Sequence, residues 1–283
     1  MRARVPASSA NLGPGFDVLA LALALYVEVE IVPAARLSLS SEGEGSTVAC
    51  DEDHLAARIA RAVCGHDRLA IRIRSEIPLR RGLGSSAALS VAAAAAAGAA
   101  DPLKVAASFE GHGENAAASL RGGLVSAALL DTSPVVRRFP LDPALSFVVL
   151  VPDRELATSE ARTVLDDLVP RDDAVFNMSR MSLLLAGLAD RTLLTADASQ
   201  DRLHQSQRSR LFPEAPELLA RLNKAGALMS CWSGAGPSLL GVCDGALSAA
   251  RVREAGEVAL EAVAVPGRAI VVSPDLEGLV LAN

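Results

Sequence analysis

Aromatic residues are scarce in this chain, and its basic residues do not outnumber the acidic ones. Phe, Trp and Tyr make up 3% of the 283 residues, too few rings for the stacking platforms that bind single-stranded nucleic acid. Lys and Arg total 27 against 33 Asp and Glu, so the formal net charge is −6. This charge gives no overall attraction to nucleic acid or to an anionic membrane. Any anionic ligand must therefore be met by a local site.

Cysteine is also rare, and no apolar run is long enough to span a bilayer. The alanine-rich run at residues 87–100 is shorter than the roughly 20 residues of a membrane helix and predicts a buried helix instead. A second apolar run lies at residues 18–27. In a secretion signal the apolar region would begin earlier, at positions that Gly13, Pro14 and Asp17 occupy here, so we expect no signal peptide. The four cysteines are widely scattered and show no CxxC spacing, which favours reduced thiols and a cytoplasmic location: Cys50, Cys64, Cys231 and Cys243.

The composition and the periodicity predict a globular α+β protein. Hydrophobic residues make up 51% of the chain, and its length favours two domains, predicted at residues 1–140 and 145–283 with the boundary in the proline-containing segment 131–143. Strands are predicted at 26–32, 37–40, 69–77, 147–151, 227–231, 238–242 and 269–272, and helices at 54–63, 87–100, 174–189, 216–225 and 247–263. Because strands and helices alternate irregularly, α+β layers fit better than a doubly wound parallel sheet.

A glycine-rich turn comes directly before the alanine-rich helix, at residues 81–88. Backbone N–H groups at the start of a helix lie at the positive end of its dipole and can bind phosphate oxygens. Gly82 and Gly84 allow the backbone to approach a polyphosphate closely, while Ser85 and Ser86 add hydroxyls suited to phosphate or Mg²⁺. On local grounds a serine-capped helix preceded by two turn glycines fits equally well.

Two further turn-rich segments are candidate ligand loops. Residues 5–17 surround Asn11 and Asp17 with small and turn-forming residues, and residues 230–238 form a glycine-rich connection between two apolar segments. Local side-chain hydrogen bonding would explain the first equally well, and a tight strand connection would explain the second.

The order of the three segments resembles one known family. S-S-A-N-L-G-P-G-F-D at 8–17, P-L-R-R-G-L-G-S-S-A-A at 78–88 and S-G-A-G-P-S at 233–238 are similar to motifs of the GHMP kinase superfamily. The opening segment, E-G-H-G-E-N at 110–115, A-V-F-N-M-S-R at 174–180 and D-R-L-H-Q at 201–205 are most similar to the homoserine kinases within it. The similarity covers nearly the whole chain.

The resemblance implies a two-domain fold with the active site in the cleft between the domains. The N-terminal domain would bind ATP, and the C-terminal domain would be a ferredoxin-like α/β sandwich. The activity implied is transfer of the γ-phosphoryl group of ATP to the hydroxyl of L-homoserine, a step towards threonine. The implied ATP phosphate loop consists of Pro78, Leu79, Arg80, Arg81, Gly82, Leu83, Gly84, Ser85, Ser86, Ala87 and Ala88.

The resemblance also implies roles for individual side chains. Ser86 and Glu110 would hold Mg²⁺, and Asn115 stands where related kinases carry an aspartate base, which implies catalysis without a classical base. The amino acid would be bound by Asn11, Asp17, His112, Arg162 and Arg208, with Asp17 on its ammonium and the two arginines on its carboxylate. The third motif would be Ser233, Gly234, Ala235 and Gly236.

A few residues depart from the family pattern. Glu114 replaces the usual aspartate and is expected to face solvent or cap local backbone, Arg80 stands where glycine is frequent, and Trp232 is expected to narrow the ligand pocket. The sequence leaves open a GHMP kinase for L-threonine or mevalonate, and a non-catalytic nucleotide sensor. It allows a homodimer without requiring one.

Overall fold

The computed structural model describes residues 1–111, 113–130 and 133–282. The strands in this part of the chain are β1 (Arg2–Asn11), β2 (Gly15–Pro33), β3 (Ser38–Gly43), β4 (Leu69–Ser75), β5 (Leu124–Leu130), β6 (Ser133–Phe139), β7 (Leu145–Pro152), β8 (Met229–Trp232), β9 (Leu239–Asp244), β10 (Gly267–Val272) and β11 (Val280–Ala282). The helices are α1 (Leu55–Cys64), α2 (Ser85–Ala96), α3 (Pro102–Glu110), α4 (Glu114–Arg121), α5 (Thr158–Thr163), α6 (Arg171–Ala189), α7 (Gln205–Arg208), α8 (Ala215–Lys224) and α9 (Gly245–Ala262).

The first sheet is built around β2, which is 19 residues long. Its strands run in the order β11-β1-β2-β4-β3, while β5 pairs with β2 near its start and carries β6 on its other side. Along β2 and β4 the apolar side chains face the core, and the charged ones, such as Glu28 and Arg72, face outward. This is the period-two pattern that predicted both strands.

Helix α2 forms the centre of the first core. It packs against β1 and β2 on one side and against α1, α3 and α4 on others. Residues 91–96 are 0–4% exposed, because alanine and valine side chains are small enough to let neighbouring backbones approach closely. The prediction of a buried helix is confirmed, and no helix in the described ranges has both the length and the apolar character that a membrane span requires.

The second sheet has the order β10-β7-β9-β8 and is antiparallel throughout. With the long helical segment after β7 and α9 before β10, this is the β-α-β-β-α-β order of a ferredoxin-like sandwich. The α+β class and the ferredoxin-like layer are therefore confirmed. Phe147 to Val151 are buried because β7 is a central strand covered by α9.

The segment predicted as the domain boundary holds a strand instead of a linker. Strand β6 pairs only with β5 among the described strands, so it lies at an edge, where the missing N–H of Pro134 can be tolerated. The chain passes to the second sheet between Phe139 and Leu145, and β11 returns to pair with β1. The proposed division into 1–140 and 145–283 stays a prediction.

Candidate active site

The three glycine-rich segments meet at one cleft, whose space open to water is about 110 Å³. Most of the predicted ligand-binding side chains contribute to its wall. The lining residues are Ala10, Asn11, Asp17, Arg80, Gly82, Gly84, Ser85, Ser86, Ala87, Glu110, Glu114, Asn115, Leu156, Thr158, Arg162, Arg208, Gly234 and Ala235. The remaining predicted loop residues lie beside the cleft without lining it: Pro78, Leu79, Arg81, Leu83, Ala88, Ser233 and Gly236. His112 lies outside the described residues.

The glycine-rich turn leaves the start of α2 open. Gly84 is the N-cap at φ 65°, and no side chain caps the helix. The alternative of a serine-capped helix is therefore wrong. A Cβ on Gly84 would come within 2.2 Å of Ser8 Oγ, and one on Gly82 within 2.1 Å of the Ser233 carbonyl oxygen. Because only glycine fits these positions, the loop can hold its first N–H groups towards the cleft, where they suit an anion.

Two oxygen groups lie together beside this helix start. Ser86 Oγ donates a hydrogen bond of 2.5 Å to Glu110 Oε1, and Ser90 Oγ donates to the same oxygen at 3.2 Å. No cluster of three or more metal-binding His, Cys, Asp or Glu side chains occurs within the described ranges. A cation at this position would therefore take one carboxylate and one hydroxyl from the protein and its other ligands from elsewhere.

Asp17 and Arg162 form an ion pair in the wall of the cleft. Arg162 Nη1 and Nη2 donate to the two Asp17 carboxylate oxygens at 3.0 and 2.8 Å, a bidentate pair. The hydrogen bond to Asp17 raises the pKa of Arg162 above its ordinary value. Asp17 is held at φ 56°, and its backbone N–H donates to Asn11 Oδ1 at 3.0 Å. Both side chains remain about 36–38% exposed, so a ligand can reach them.

The predicted ligand residue Asn11 has a structural task at both ends of its amide. Its Oδ1 accepts from Asp17, and its Nδ2 donates to the Gly234 carbonyl oxygen at 3.0 Å. Asn11 is 3% exposed and has φ 71°. Its amide therefore links the first motif to the third and orients Asp17.

Arg208 is almost fully buried at the cleft wall, with 2% of its surface exposed. Its Nη1 donates to the Gly234 carbonyl oxygen at 2.9 Å and to His204 Nδ1 at 3.0 Å. Nε has no hydrogen-bond partner among the described residues. Burial lowers the pKa of Arg208 to about 10, which still leaves it charged at neutral pH. A buried cation of this kind is suited to an anionic ligand.

His204 supports Arg208 and was noticed in the sequence only as part of the D-R-L-H-Q motif. Its Nε2 donates to the Gly13 carbonyl oxygen at 2.8 Å, so Nδ1 is the acceptor for Arg208. The ring also stacks on Phe16, with centroids 5.1 Å apart. Burial lowers the pKa of His204 to about 4, which keeps this neutral tautomer. The spacing of four residues between His204 and Arg208 could have predicted their contact, because residues four apart lie on the same face of a helix.

Asp201 and Asn177 support this arrangement and were noticed only as parts of family-like motifs. Asp201 accepts hydrogen bonds from the backbone N–H groups of His204 and Gln205 at 2.8 and 2.7 Å and from Asn177 Nδ2 at 2.7 Å. Asn177 Nδ2 also donates to the Pro14 carbonyl oxygen at 3.3 Å. The start of α7 is thereby tied to α6 and to the β1–β2 turn.

The solvent-facing position expected as one alternative for Glu114 is wrong, and so is the pocket-narrowing role expected for Trp232. Glu114 is 2% exposed and lines the cleft instead of facing solvent, because it is the first residue of α4 and not part of a loop. Its Oε1 accepts from Asn115 Nδ2 at 3.0 Å, while Asn115 Oδ1 accepts from Ser8 Oγ at 2.9 Å. Trp232 is fully buried away from the cleft, edge-on to Phe212 at 6.0 Å, and therefore does not narrow the pocket.

The fold and the cleft are those of a small-molecule kinase, with the uncapped start of α2 and three arginines in the cleft wall. The family model "GHMP kinases N terminal domain" matches residues 53–123, and "GHMP kinases C terminal" matches residues 184–258. The chain belongs to the GHMP kinase family.

Its similar relatives carry one name. A homoserine kinase of Moorella thermoacetica is 38% identical over 86% of this chain and 87% of its own length. A homoserine kinase of Streptomyces avermitilis is 40% identical over 91% of this chain and 90% of its own length. The crystal structure of homoserine kinase from Cytophaga hutchinsonii superposes with a TM-score of 0.87 at 25% identity, covering 100% of this chain and 97% of that one.

Proposed function

We propose that this kinase transfers the γ-phosphoryl group of ATP to the hydroxyl of L-homoserine, forming O-phospho-L-homoserine on the way to threonine. The observation that carries the proposal is the arrangement of charges in the cleft. The open start of α2 and the charged side chains of Asp17, Arg162 and Arg208 line the same cleft. This arrangement suits an amino-acid zwitterion that presents its hydroxyl to a nucleotide. The homoserine kinase relatives support the same acceptor.

The phosphate end needs no lysine of the common phosphate-binding loop. N–H groups of the first turn of α2 supply hydrogen-bond donors, and the helix dipole favours negative charge there. The Ser85 and Ser86 hydroxyls lie in the same wall of the cleft. Together these groups would hold the polyphosphate in a fixed position, which is most of what phosphoryl transfer requires of a protein.

The Ser86 and Glu110 pair fits Mg²⁺. This ion is commonly bound in kinases by one or two protein oxygens together with substrate phosphates and water. Glu110 Oε1 and Ser86 Oγ are hard oxygen donors already in contact, beside the helix start. Bound by them, Mg²⁺ would neutralise charge on the transferring phosphoryl group. The cofactor set we propose is therefore ATP with Mg²⁺.

Binding of the amino acid would replace the Arg162–Asp17 ion pair by ion pairs between these residues and the ligand. The Arg162 and Asp17 side chains satisfy each other's charges in the wall of the cleft. A zwitterionic ligand offers a carboxylate to Arg162 and Arg208 and an ammonium to Asp17, so each group regains an opposite charge when the pair separates. Exchange of this kind avoids leaving a half-buried charge without a partner.

Asn115 cannot accept the hydroxyl proton, because an amide is not a base at neutral pH. Its two ends are held by Ser8 and Glu114, which suits a group that positions the acceptor. The hydroxyl proton would then leave late, to the phosphoryl oxygens or to water. Phosphoryl transfer tolerates this because positioning and charge stabilisation supply most of the rate acceleration.

An acceptor screen tests the proposal. Purified protein with MgATP is offered L-homoserine, L-threonine, mevalonate and no acceptor, and ADP release and phosphorylated product are both measured. We expect the highest kcat/KM with L-homoserine. A higher kcat/KM with L-threonine or mevalonate would make that compound the acceptor in place of L-homoserine. ATP binding without turnover on any of them would favour a nucleotide sensor.

The four free cysteines fit the proposed location in the cytoplasm.

A further inference from the structure

Arg80 has a backbone conformation that is unfavourable for an arginine. Its φ is 51°, in the left-handed region that favours glycine. The conformation is fixed because the Arg80 carbonyl oxygen accepts from Leu156 N at 3.0 Å and the next residue, Arg81, is anchored on three carbonyl groups. A strained residue of this kind in a ligand-binding loop is a reason to ask what its side chain does there.

The two adjacent arginines have different surroundings. Arg81 is 18% exposed, and its guanidinium donates to the carbonyl oxygens of Pro152, Leu79 and Asp153, so it clamps the loop. Arg80 is 69% exposed and lines the cleft. Among the described residues, its guanidinium makes one ion pair, with the exposed Glu155 at 3.5 Å. The Arg80 guanidinium is thus available to a ligand, whereas that of Arg81 is already engaged.

The charges along the cleft explain why a cation is useful at this place. The phosphate end carries the carboxylate of Glu110. The other two cleft arginines already have partners, because Arg162 pairs with Asp17 and Arg208 bonds to Gly234 and His204. Arg80 is the arginine of the cleft wall that lies on the glycine-rich turn itself.

We propose that Arg80 is a phosphate-binding residue, whose guanidinium leaves Glu155 and contacts a phosphate oxygen of the bound nucleotide. The inference rests on the proposed ATP-dependent function. In the common phosphate-binding loop, a lysine after the glycines supplies a side-chain cation. This loop has no such lysine, and Arg80, which precedes Gly82, would supply the cation instead. The Arg80 contact would strengthen binding of the charged polyphosphate and leave binding of the nucleoside unchanged.

Three substitutions separate the charge of Arg80 from its backbone. Arg80→Lys keeps the charge, Arg80→Ala removes it but keeps the strain, and Arg80→Gly removes both. Affinity for MgATP, MgADP and adenosine is measured by calorimetry without acceptor, and the melting temperature of each variant is recorded. Arg72→Ala is the matched control, because Arg72 is 68% exposed and also pairs with a glutamate, but lies on the outer face of the first sheet.

The expected result is that nucleotide affinity follows charge and stability follows the backbone. Arg80→Ala and Arg80→Gly should both weaken MgATP binding about tenfold, the low end for a charge-assisted hydrogen bond, with adenosine unaffected and Arg80→Lys close to wild type. Arg80→Gly should melt about 2–4 °C above Arg80→Ala, because glycine tolerates positive φ. Arg72→Ala should not change affinity.

Other results would overturn the inference. Unchanged MgATP affinity in Arg80→Ala, or an equal loss for adenosine, would remove Arg80 from the phosphate site. Recovery of affinity in Arg80→Gly but not in Arg80→Lys would mean that loop shape matters and charge does not. Failure of the wild type to phosphorylate any acceptor while MgATP binding still depends on Arg80 would overturn the proposed function and leave the Arg80 contact standing.

Discussion

Replacement of Arg208 by leucine should separate the binding role of this side chain from its effect on stability. Burial lowers the pKa of Arg208 to about 10, so the charged guanidinium is less favourable in the fold than in water. One pKa unit equals about 1.4 kcal/mol, which makes this burial cost on the order of 3 kcal/mol. The folded and unfolded states are both protonated at pH 7, so the full cost applies there and would fade only above pH 10.

Arg208→Leu removes that cost but also removes two hydrogen bonds. The Gly234 carbonyl oxygen keeps Asn11 Nδ2 as a donor, whereas His204 Nδ1 becomes an unpaired buried acceptor, at a cost of about 1–3 kcal/mol. The two effects oppose each other and have similar size. We therefore expect the free energy of unfolding to stay within about 2 kcal/mol of wild type, a melting shift of roughly 5 °C or less.

The effect on catalysis should be larger and confined to one substrate. Loss of a charge-assisted contact costs about 1.5–3 kcal/mol, which raises the KM for homoserine roughly tenfold to somewhat over a hundredfold. The KM for ATP should change little, because the Arg208 guanidinium bonds to Gly234 and His204 and to no residue of the glycine-rich turn or of α2. Arg210→Leu, on an exposed arginine two residues further on, is the control and should change neither constant. An equal rise in both KM values, with intact folding, would refute the assignment and give Arg208 a structural role.

Three further predictions concern the rest of the cleft. Ser86→Ala and Glu110→Gln should each lower kcat by orders of magnitude at saturating Mg²⁺ with an unchanged circular dichroism spectrum, because each removes an oxygen of the proposed metal site, and wild-type turnover would contradict that site. Glu114→Gln should keep kcat within about tenfold, because a glutamine Oε1 can still accept from its neighbour, whereas a thousandfold loss with unchanged ATP affinity would make Glu114 the base. His204, with a pKa of about 4 in the fold against about 6.5 unfolded, should cause stability to be lost as the pH falls from 6.5 to 4, and thermal melts of His204→Gln should show a weaker pH dependence over that range.

Periodic and compositional signals predicted most of the elements that carry the fold. The apolar run at 147–151 and the alanines of α2 each matched an element within a few residues, whereas the alternation at 26–32 marked only the second half of β2, which begins at Gly15. Strand β1 was not predicted, because its small and polar residues resemble a loop, although both its faces are buried in the fold. That burial comes from packing against α2 and α4, which local sequence does not record.

In the site, too, the sequence indicated which segments take part but not how their side chains contact one another. The three segments and the residues that line the cleft could be taken from the sequence order, but the partners of each side chain could not. Asn11 is used within the protein at both ends of its amide, and Glu114 turned inward because a helix starts there. Arg80 and Arg81 are the same residue type, but the Arg81 guanidinium bonds to three carbonyl oxygens, whereas that of Arg80 pairs with Glu155.

The third motif connects the two ends of the cleft more than it forms a separate ligand loop. Ser233 Oγ bonds to the Gly82 carbonyl oxygen at 2.7 Å and to Ser9 Oγ at 2.8 Å, which fixes the motif to the phosphate loop and to β1. One residue later, the Gly234 carbonyl oxygen accepts from both Asn11 and Arg208, which fixes it to the amino-acid end. Two consecutive residues thus set the distance between the groups proposed to hold the phosphates and those proposed to hold the acceptor. Because a misplacement of about 1 Å can cost a hundredfold in rate, we expect the separation set at Ser233 and Gly234 to affect catalysis even though neither residue need touch the reacting atoms.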